Sequence, residues 1–147
     1  MKPIVRLMTA EDIESVYEIE LKSFETPWTL EAFNKEIHEN ELAVYHVLEL
    51  NDSVIGYGGM WKIVDELHVT NFAVLPDYRG KGFAHFLMDA MEDYGVIHGF
   101  KYMTLEVRRS NAVAIALYEK HGFVGAGYRP KYYVDSGEDA LVMWREL

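Results

Sequence analysis

The sequence predicts a mixed α/β fold in which one sheet is flanked by helices. Two observations carry this. Strand-like segments with hairpin signals fill residues 42–75, and from there strands alternate with helical stripes as a β-α-β-α unit. The full order reads β-α-α-β-β-β-α-β-α-β-β. With 147 residues the chain has the length of one domain, enough to bury a real core.

Residues 4–8 alternate weakly as a strand, and Thr9 follows as a helix N-cap. Ile13, Val16, Tyr17, Leu21 and Phe24 then form a helical stripe. Thr26-Pro27-Trp28-Thr29 breaks it, with Thr29 capping a second helix that carries Leu30, Phe33 and Ile37. Residues 42–50 and 53–63 read as strands joined at Asn51-Asp52, a hairpin signal. A third strand, about 66–75, runs into a turn and then a helix ending near Gly99. Phe83, Phe86, Leu87, Ala90, Met91 and Tyr94 make that helix's apolar stripe. A strand at 102–107, a helix near 112–121 and strands around 123–134 and 139–146 complete the order.

Composition narrows the function. Half the residues are apolar and 26% are charged, as in ordinary globular proteins. No apolar run reaches bilayer length and the N-terminus lacks a signal-peptide core, so no membrane role and a cytoplasmic location are expected. Without cysteine there is no disulfide, thiolate metal site or cysteine nucleophile. The six histidines show no HExxH or similar spacing, and no metal is expected. A formal charge of −10 argues against direct nucleic-acid binding. It fits solubility, and equally a cationic partner such as a protonated amine or a peptide terminus.

The segment from Asn71 to Ala84 holds the most information. An apolar strand meets a proline turn, then the basic, glycine-spaced loop Arg79-Gly80-Lys81-Gly82, then a helix. Free N–H groups and the positive end of a helix dipole at such a point suit a phosphate or pyrophosphate. No Gly-Lys-Ser/Thr follows, and the spacing is not the dinucleotide fingerprint.

Two side chains stand out chemically. Glu106 shares a strand face with Thr104 and Arg108, opposite Met103, Leu105 and Val107. It reads either as a carboxylate salt-bridged to Arg108 or another cation, or as a general base whose pKa partial burial raises. Tyr118, in an apolar helix, reads as a core tyrosine with a bonded hydroxyl, or as a general acid for a thiolate leaving group. Asn111 reads as that helix's cap. Phe72, Ala73 and Val74 read as core through their side chains. A splay of their strand from its neighbour would free backbone donors for a thioester oxygen.

Arg79, Gly82 and Ala84 fill the Arg/Gln-x-x-Gly-x-Gly/Ala loop that resembles motif A of the GCN5-related N-acetyltransferases, the GNAT superfamily. The element order is also that of the GNAT fold, a central mixed, mostly antiparallel sheet, so the resemblance spans essentially all of residues 1–147. Within the superfamily the chain is similar to the RimI-type ribosomal-protein alanine N-acetyltransferases. The matching segments are Pro27-Trp28-Thr29, Asn71-Phe72-Ala73-Val74, Leu105-Glu106-Val107-Arg108, Ser110-Asn111, Ala114 to Glu119, Gly122-Phe123, Tyr132-Tyr133 and Glu138 to Met143.

The resemblance implies acetyl-CoA as acetyl donor with coenzyme A as product, no metal, and direct transfer in a ternary complex to the N-terminal alanine of ribosomal small-subunit protein eighteen. It makes Glu106 the proton acceptor and Tyr118 the proton donor. Phe72, Ala73, Val74, Arg79, Gly80, Lys81, Gly82, Phe83, Ala84, His85 and Asn111 become acetyl-CoA contacts. Trp28, Tyr132 and Tyr133 become walls of the peptide entrance; an amphipathic strand explains the tyrosine pair equally well. His85 stands where arginine is common, Arg109 where a small residue is usual, and Thr26 where phenylalanine is common. The first weakens a phosphate contact, and the other two bear on the acceptor. Two alternatives stay open: a GNAT enzyme for another amine (another protein N-terminus, lysine, a polyamine or an amino-sugar), and a non-catalytic acyl-CoA-binding module.

Overall fold

The computed structural model describes residues 2–147. Its elements are β1 (Ile4–Leu7), α1 (Ile13–Ser23), α2 (Leu30–Glu39), β2 (Ala43–Leu50), β3 (Ser53–Ile63), β4 (Glu66–Val74), α3 (Phe83–Ile97), β5 (Tyr102–Arg108), α4 (Ala112–Lys120), β6 (Val124–Tyr133) and β7 (Glu138–Glu146). The element order is the one the sequence predicts. Among the described residues no helix is long and apolar enough to cross a membrane.

Local chemistry explains most boundaries. Asn51 and Asp52 both adopt left-handed backbone, with φ of 53° and 65°, the geometry a two-residue hairpin requires. The Thr29 side chain accepts from the Ala32 N–H at 3.1 Å, so it caps α2 as expected. Thr9 also takes an N-cap position, of the short 3-10 turn that precedes α1. Its N–H and hydroxyl both donate to Asp12 Oδ2, at 2.8 and 3.2 Å, while Arg6 grips Asp12 at 2.7 and 2.8 Å. Asp12 therefore organises the entry, through a short 3-10 turn at Ala10–Asp12. The α1 stripe differs from expectation. Leu21 and Phe24 are 48% and 41% exposed, and Ile19 and Glu20 are buried beside Ile13 and Val16. Phe24 lies past the helix end in extended backbone, off the helical period.

Among the described residues seven strands form one sheet in the order β1-β2-β3-β4-β5-β7-β6. Every neighbouring pair is antiparallel except β4 and β5. That one parallel pairing is short, running from Glu66↔Tyr102 only to His68↔Thr104. Beyond it β4 continues to Val74 and β5 to Arg108 with no pairing between them. The sheet opens into a gap at its centre.

The helices divide between the two faces. α3 and α4 cover a core of Leu48, Met60, Leu67, Leu87, Met91, Met103 and Leu105, while α1 and α2 cover Val16, Ile19, Phe33, Tyr45, Val47 and Tyr57. A bulge in the β3–β4 ladder, where Gly59↔Asn71 is followed by Met60↔Val69, inserts Thr70 as an extra residue. Its effect is to reverse side-chain parity. Asn71 turns toward Tyr45 and Tyr57, and Phe72 turns toward Tyr118 on the opposite face.

Candidate active site

The gap lies between a main-chain cradle and a cluster of titratable side chains. The cradle follows β4. Pro76–Tyr78 make a 3-10 turn, then Gly80 and Gly82 take φ of 74° and 84°, left-handed values that L side chains rarely adopt. A Cβ added at either would meet nothing within 4 Å, so the space above both is open to a ligand. Gly82 is the N-cap of α3 and gives it no side-chain cap, and no acidic residue sits in the first turn. Among the described residues the N–H groups of positions 80–84 donate to no protein acceptor. That run of free donors at a fifteen-residue helix suits an anionic group such as a pyrophosphate.

The cationic side chains of the loop are partly committed elsewhere. Arg79 Nε donates to the Val74 carbonyl at 2.7 Å, and its Nη2 donates to Ser23 Oγ at 3.0 Å. Arg79 therefore ties the loop to the end of β4 and to α1. Lys81 sits 6.0 Å from the Tyr78 ring, and Tyr78 packs edge-on against Phe83. Ala84 is half-buried against the α3–α4 core. His85 stacks on His121, with Nδ1 2.9 Å from His121 Nε2, while His121 Nδ1 lies 2.7 Å from Glu92. A carboxylate only accepts, so His121 donates from Nδ1; in the neutral pair its Nε2 then accepts the Nδ1 proton of His85. Asp89, Glu92 and His121 bring ligand atoms within 4.8 Å of one another, but Arg145 already donates to Glu92 at 3.1 Å.

Across the gap, Glu106 projects toward the α1–α2 side with His68 of β4. His68 Nε2 donates to Glu106 Oε2 at 2.6 Å, and the Tyr132 hydroxyl donates to Oε1 at 3.3 Å. The Glu106 side chain is 8% exposed. Burial pushes its carboxyl up, but the His68 bond and charge, with Arg129 and Tyr132, outweigh burial and bring it below the usual carboxylate range. The pKa is lowered rather than raised, which corrects the burial expectation. The paired-carboxylate reading holds, with His68 as the partner in place of Arg108. Arg108 instead pairs with Asp135 at 2.7 Å and covers the Tyr133 ring at 4.1 Å.

Tyr118 approaches from the other face. It is buried, 6.0 Å from the Phe72 ring and 5.8 Å from Phe123. Its hydroxyl has no hydrogen-bond partner among the described residues, contrary to the bonded core tyrosine expected as the plainer reading. Burial holds its pKa above the ordinary phenol value, and Tyr133 adds to this. Tyr133 is itself pushed up to about 12, chiefly by burial, and meets Tyr132 edge-on at 5.1 Å. Asn111 accepts from the Ala114 N–H at 3.1 Å and is the cap of α4. Ala73 and Val74 pack into opposite cores. Trp28 packs on Phe33 at 5.3 Å in the α1–α2 connection.

A carboxylate held ionised, a phenol held protonated and a free main-chain anion cradle can move an acyl group from a thioester to an amine. The model of the acetyltransferase (GNAT) family matches residues 13–123. The chain belongs to the GNAT acetyltransferase family. A relative from Bacillus subtilis (strain 168), described provisionally as a ribosomal protein bS18-alanine N-acetyltransferase, is 43% identical over 97% of this GNAT chain and 95% of its own. The crystal structure of the ribosomal-protein-S18-alanine N-acetyltransferase from Escherichia coli matches with a TM-score of 0.90 at 31% identity, over 99% of this chain and 94% of that one. Ard1 from Thermoplasma volcanium matches with a TM-score of 0.89 at 32% identity, over 100% and 99%. The GNAT family uses acetyl-CoA.

His68 is the residue that sequence reading missed. Its signal was a lone histidine in β4, three residues before Asn71 and in register with Thr104, but the pairing of β4 with β5 was needed to put it on Glu106.

Proposed function

We propose that this GNAT enzyme is an acetyl-CoA-dependent N-alpha-acetyltransferase for the N-terminal alanine of ribosomal small-subunit protein eighteen, with residues 1–147 acting as one domain. The observation that carries the reading is the β4–β5 gap, with Glu106, His68 and Tyr132 on one side, Tyr118 on the other, and the glycine cradle beside it. The names of relatives covering nearly the whole chain support the acceptor.

In this reading the N–H groups of residues 80–84 hold the pyrophosphate, with Arg79 bracing the loop and His85 and Asn111 nearby. The unpaired edge of β4 at Phe72 to Val74 holds the pantetheine arm and stabilises the oxyanion. Trp28, Tyr132 and Tyr133 wall the acceptor. An α-ammonium of pKa about 7.7–8.0 loses its proton far more readily than a lysine of about 10.4. That proton passes through water to the Glu106–His68 pair. Glu106 is ionised at neutral pH, so it attracts and orients the incoming ammonium, and His68 keeps the carboxylate in place. The amine nitrogen attacks the thioester carbon, the C–N bond forms, and the C–S bond breaks. Tyr118 gives its proton to the departing thiolate, and the second proton, which the nitrogen sheds on becoming an amide, leaves through water and restores the Tyr118 phenol.

Mass spectrometry of a peptide beginning Ala-Arg, incubated with acetyl-CoA and enzyme, tests the reading. One acetyl group on the free N-terminus, absent from an N-terminally blocked copy bearing an internal lysine, is the expected result. Transfer to the lysine or to a polyamine instead would discard the acceptor. Binding of acetyl-CoA without transfer to any amine would discard the chemistry.

A further inference from the structure

Three buried carboxylates lie outside the proposed chemistry: Asp12, which Arg6 holds, and Glu20 and Glu36. Glu20 is 2% exposed and Glu36 is 8% exposed, and neither has a cationic partner among the described residues. Both are fully supplied with neutral donors instead. Glu20 Oε2 accepts the Trp28 N–H at 2.9 Å, and Oε1 accepts the Tyr57 hydroxyl. Asn71 Nδ2 donates to that same hydroxyl at 3.4 Å. The Tyr45 hydroxyl lies 3.2 Å from Asn71 Oδ1 and donates to Glu36 Oε2 at 2.9 Å, where Trp61 Nε1 also donates at 2.6 Å. One hydrogen-bonded chain thus runs from the Trp28 backbone through Glu20 and Tyr57 to Asn71, and a second joins Tyr45 and Trp61 to Glu36, the two meeting where the Tyr45 hydroxyl lies against Asn71 Oδ1.

Such a network is costly to bury, and apolar side chains of similar volume would serve packing at least as well. What it supplies is geometry, since each buried group has one arrangement that satisfies it. The ends of the chain say which geometry. Trp28 belongs to the α1–α2 connection, and Ser23 at the end of α1 meets Arg79, which holds the Val74 carbonyl. The connection therefore sits at the open end of the gap, on the Glu106 face. Asn71 directly precedes Phe72, the first residue of the strand segment facing the thioester, and only the Thr70 bulge turns it into this network.

We propose that Glu20 is a positioning residue for the acceptor: through the Trp28 N–H on one oxygen and Tyr57–Asn71 on the other, it sets the α1–α2 wall in register with β4. This rests on the N-terminal acetyltransferase reading for the role of the wall, though not for the network itself.

The test is steady-state kinetics of Glu20→Gln and Tyr57→Phe, varying the acceptor and acetyl-CoA separately, with thermal unfolding alongside. The Gln amide turns a donor toward one of its two donor partners, so acceptor KM should rise about tenfold, the loss of roughly one charged hydrogen bond. The KM for acetyl-CoA should stay within about twofold, because the cradle is built from other groups. Tyr57→Phe, which keeps the ring and leaves the Trp28 bond, should raise acceptor KM less, and Glu20→Asp should recover part of the loss. A parallel rise in the KM of both substrates, or unchanged acceptor KM in Tyr57→Phe and in a folded Glu20→Gln, would overturn the proposal. Should the wild type turn over a different amine, the same acceptor-KM comparison is made with that amine, so failure of the function reading and failure of this one are separate results.

Discussion

On the α3 side of the gap the groups that face a ligand are main-chain amides, whereas on the α1–α2 side they are the side chains of Glu106, His68 and Tyr132. The cradle needs only that Gly80 and Gly82 reach left-handed φ and that no cap fills the helix start, and adjacent residues meet both conditions. The carboxylate site needs β4, β5 and β6 to deliver one side chain each to the same point. The difference predicts separable damage. Changes on the carboxylate side should impair chemistry and leave donor binding intact, and changes in the cradle should do the reverse.

The largest effect is expected at Glu106. Glu106→Gln keeps the shape and removes the charge and the proton acceptor, so kcat should fall about 10²- to 10⁴-fold, the usual span for a lost general base. Isothermal titration should find acetyl-CoA affinity unchanged. If affinity fell with kcat, the two sides would be coupled and the comparison broken. Next is Tyr118→Phe, with a loss in kcat of about ten- to a hundredfold. Because this hydroxyl has no protein partner, its removal leaves no orphaned group, and the unfolding midpoint should hardly move. A large drop in stability would mean that the hydroxyl is structural.

Gly82→Ala probes the other side. Left-handed backbone at φ 84° costs a non-glycine residue about 1–2 kcal/mol, and relief of that strain would turn the amides away. Acetyl-CoA binding should weaken by about five- to twentyfold while acceptor KM holds. Equal loss for both substrates would show that the cradle also shapes the acceptor side.

This contrast also governs what could be read from sequence. Strand and helix order followed from periodicity, and the Asn51-Asp52 hairpin, the Thr29 cap and the glycine loop followed from short-range rules that the fold obeys. Glu106 and Tyr118 were legible as candidates because a carboxylate in an apolar strand and a tyrosine in an apolar helix are each conspicuous. Their environments were not legible. Glu106 pairs with His68 across 38 positions, a contact that exists because β4 and β5 stay paired just to His68↔Thr104 before parting. The Thr70 bulge was equally invisible, although it decides which face receives Asn71 and which receives Phe72. Leu21 failed as a core residue for a related reason, since the buried Glu20 takes the place in the stripe that an apolar side chain would ordinarily hold, and Phe24 failed because the helix ends before it.

The smallest effect, and the sharpest on mechanism, is a shift in pH dependence. Glu106 must be ionised to accept a proton, so activity falls as pH drops through its pKa. Its folded pKa lies below the ordinary value: burial raises it, and the stronger pull of the His68 bond, with Arg129 and Tyr132, lowers it. His68→Phe removes the main lowering influence and leaves the burial. The acid limb of kcat/KM should therefore move to higher pH, with a plateau reduced only a few-fold, because the carboxylate itself remains. Tyr118, held above the usual phenol value by burial, should contribute no alkaline limb in the neutral range in either protein. An acid limb that stayed in place while the plateau collapsed would assign His68 the proton itself and reduce Glu106 to its anchor.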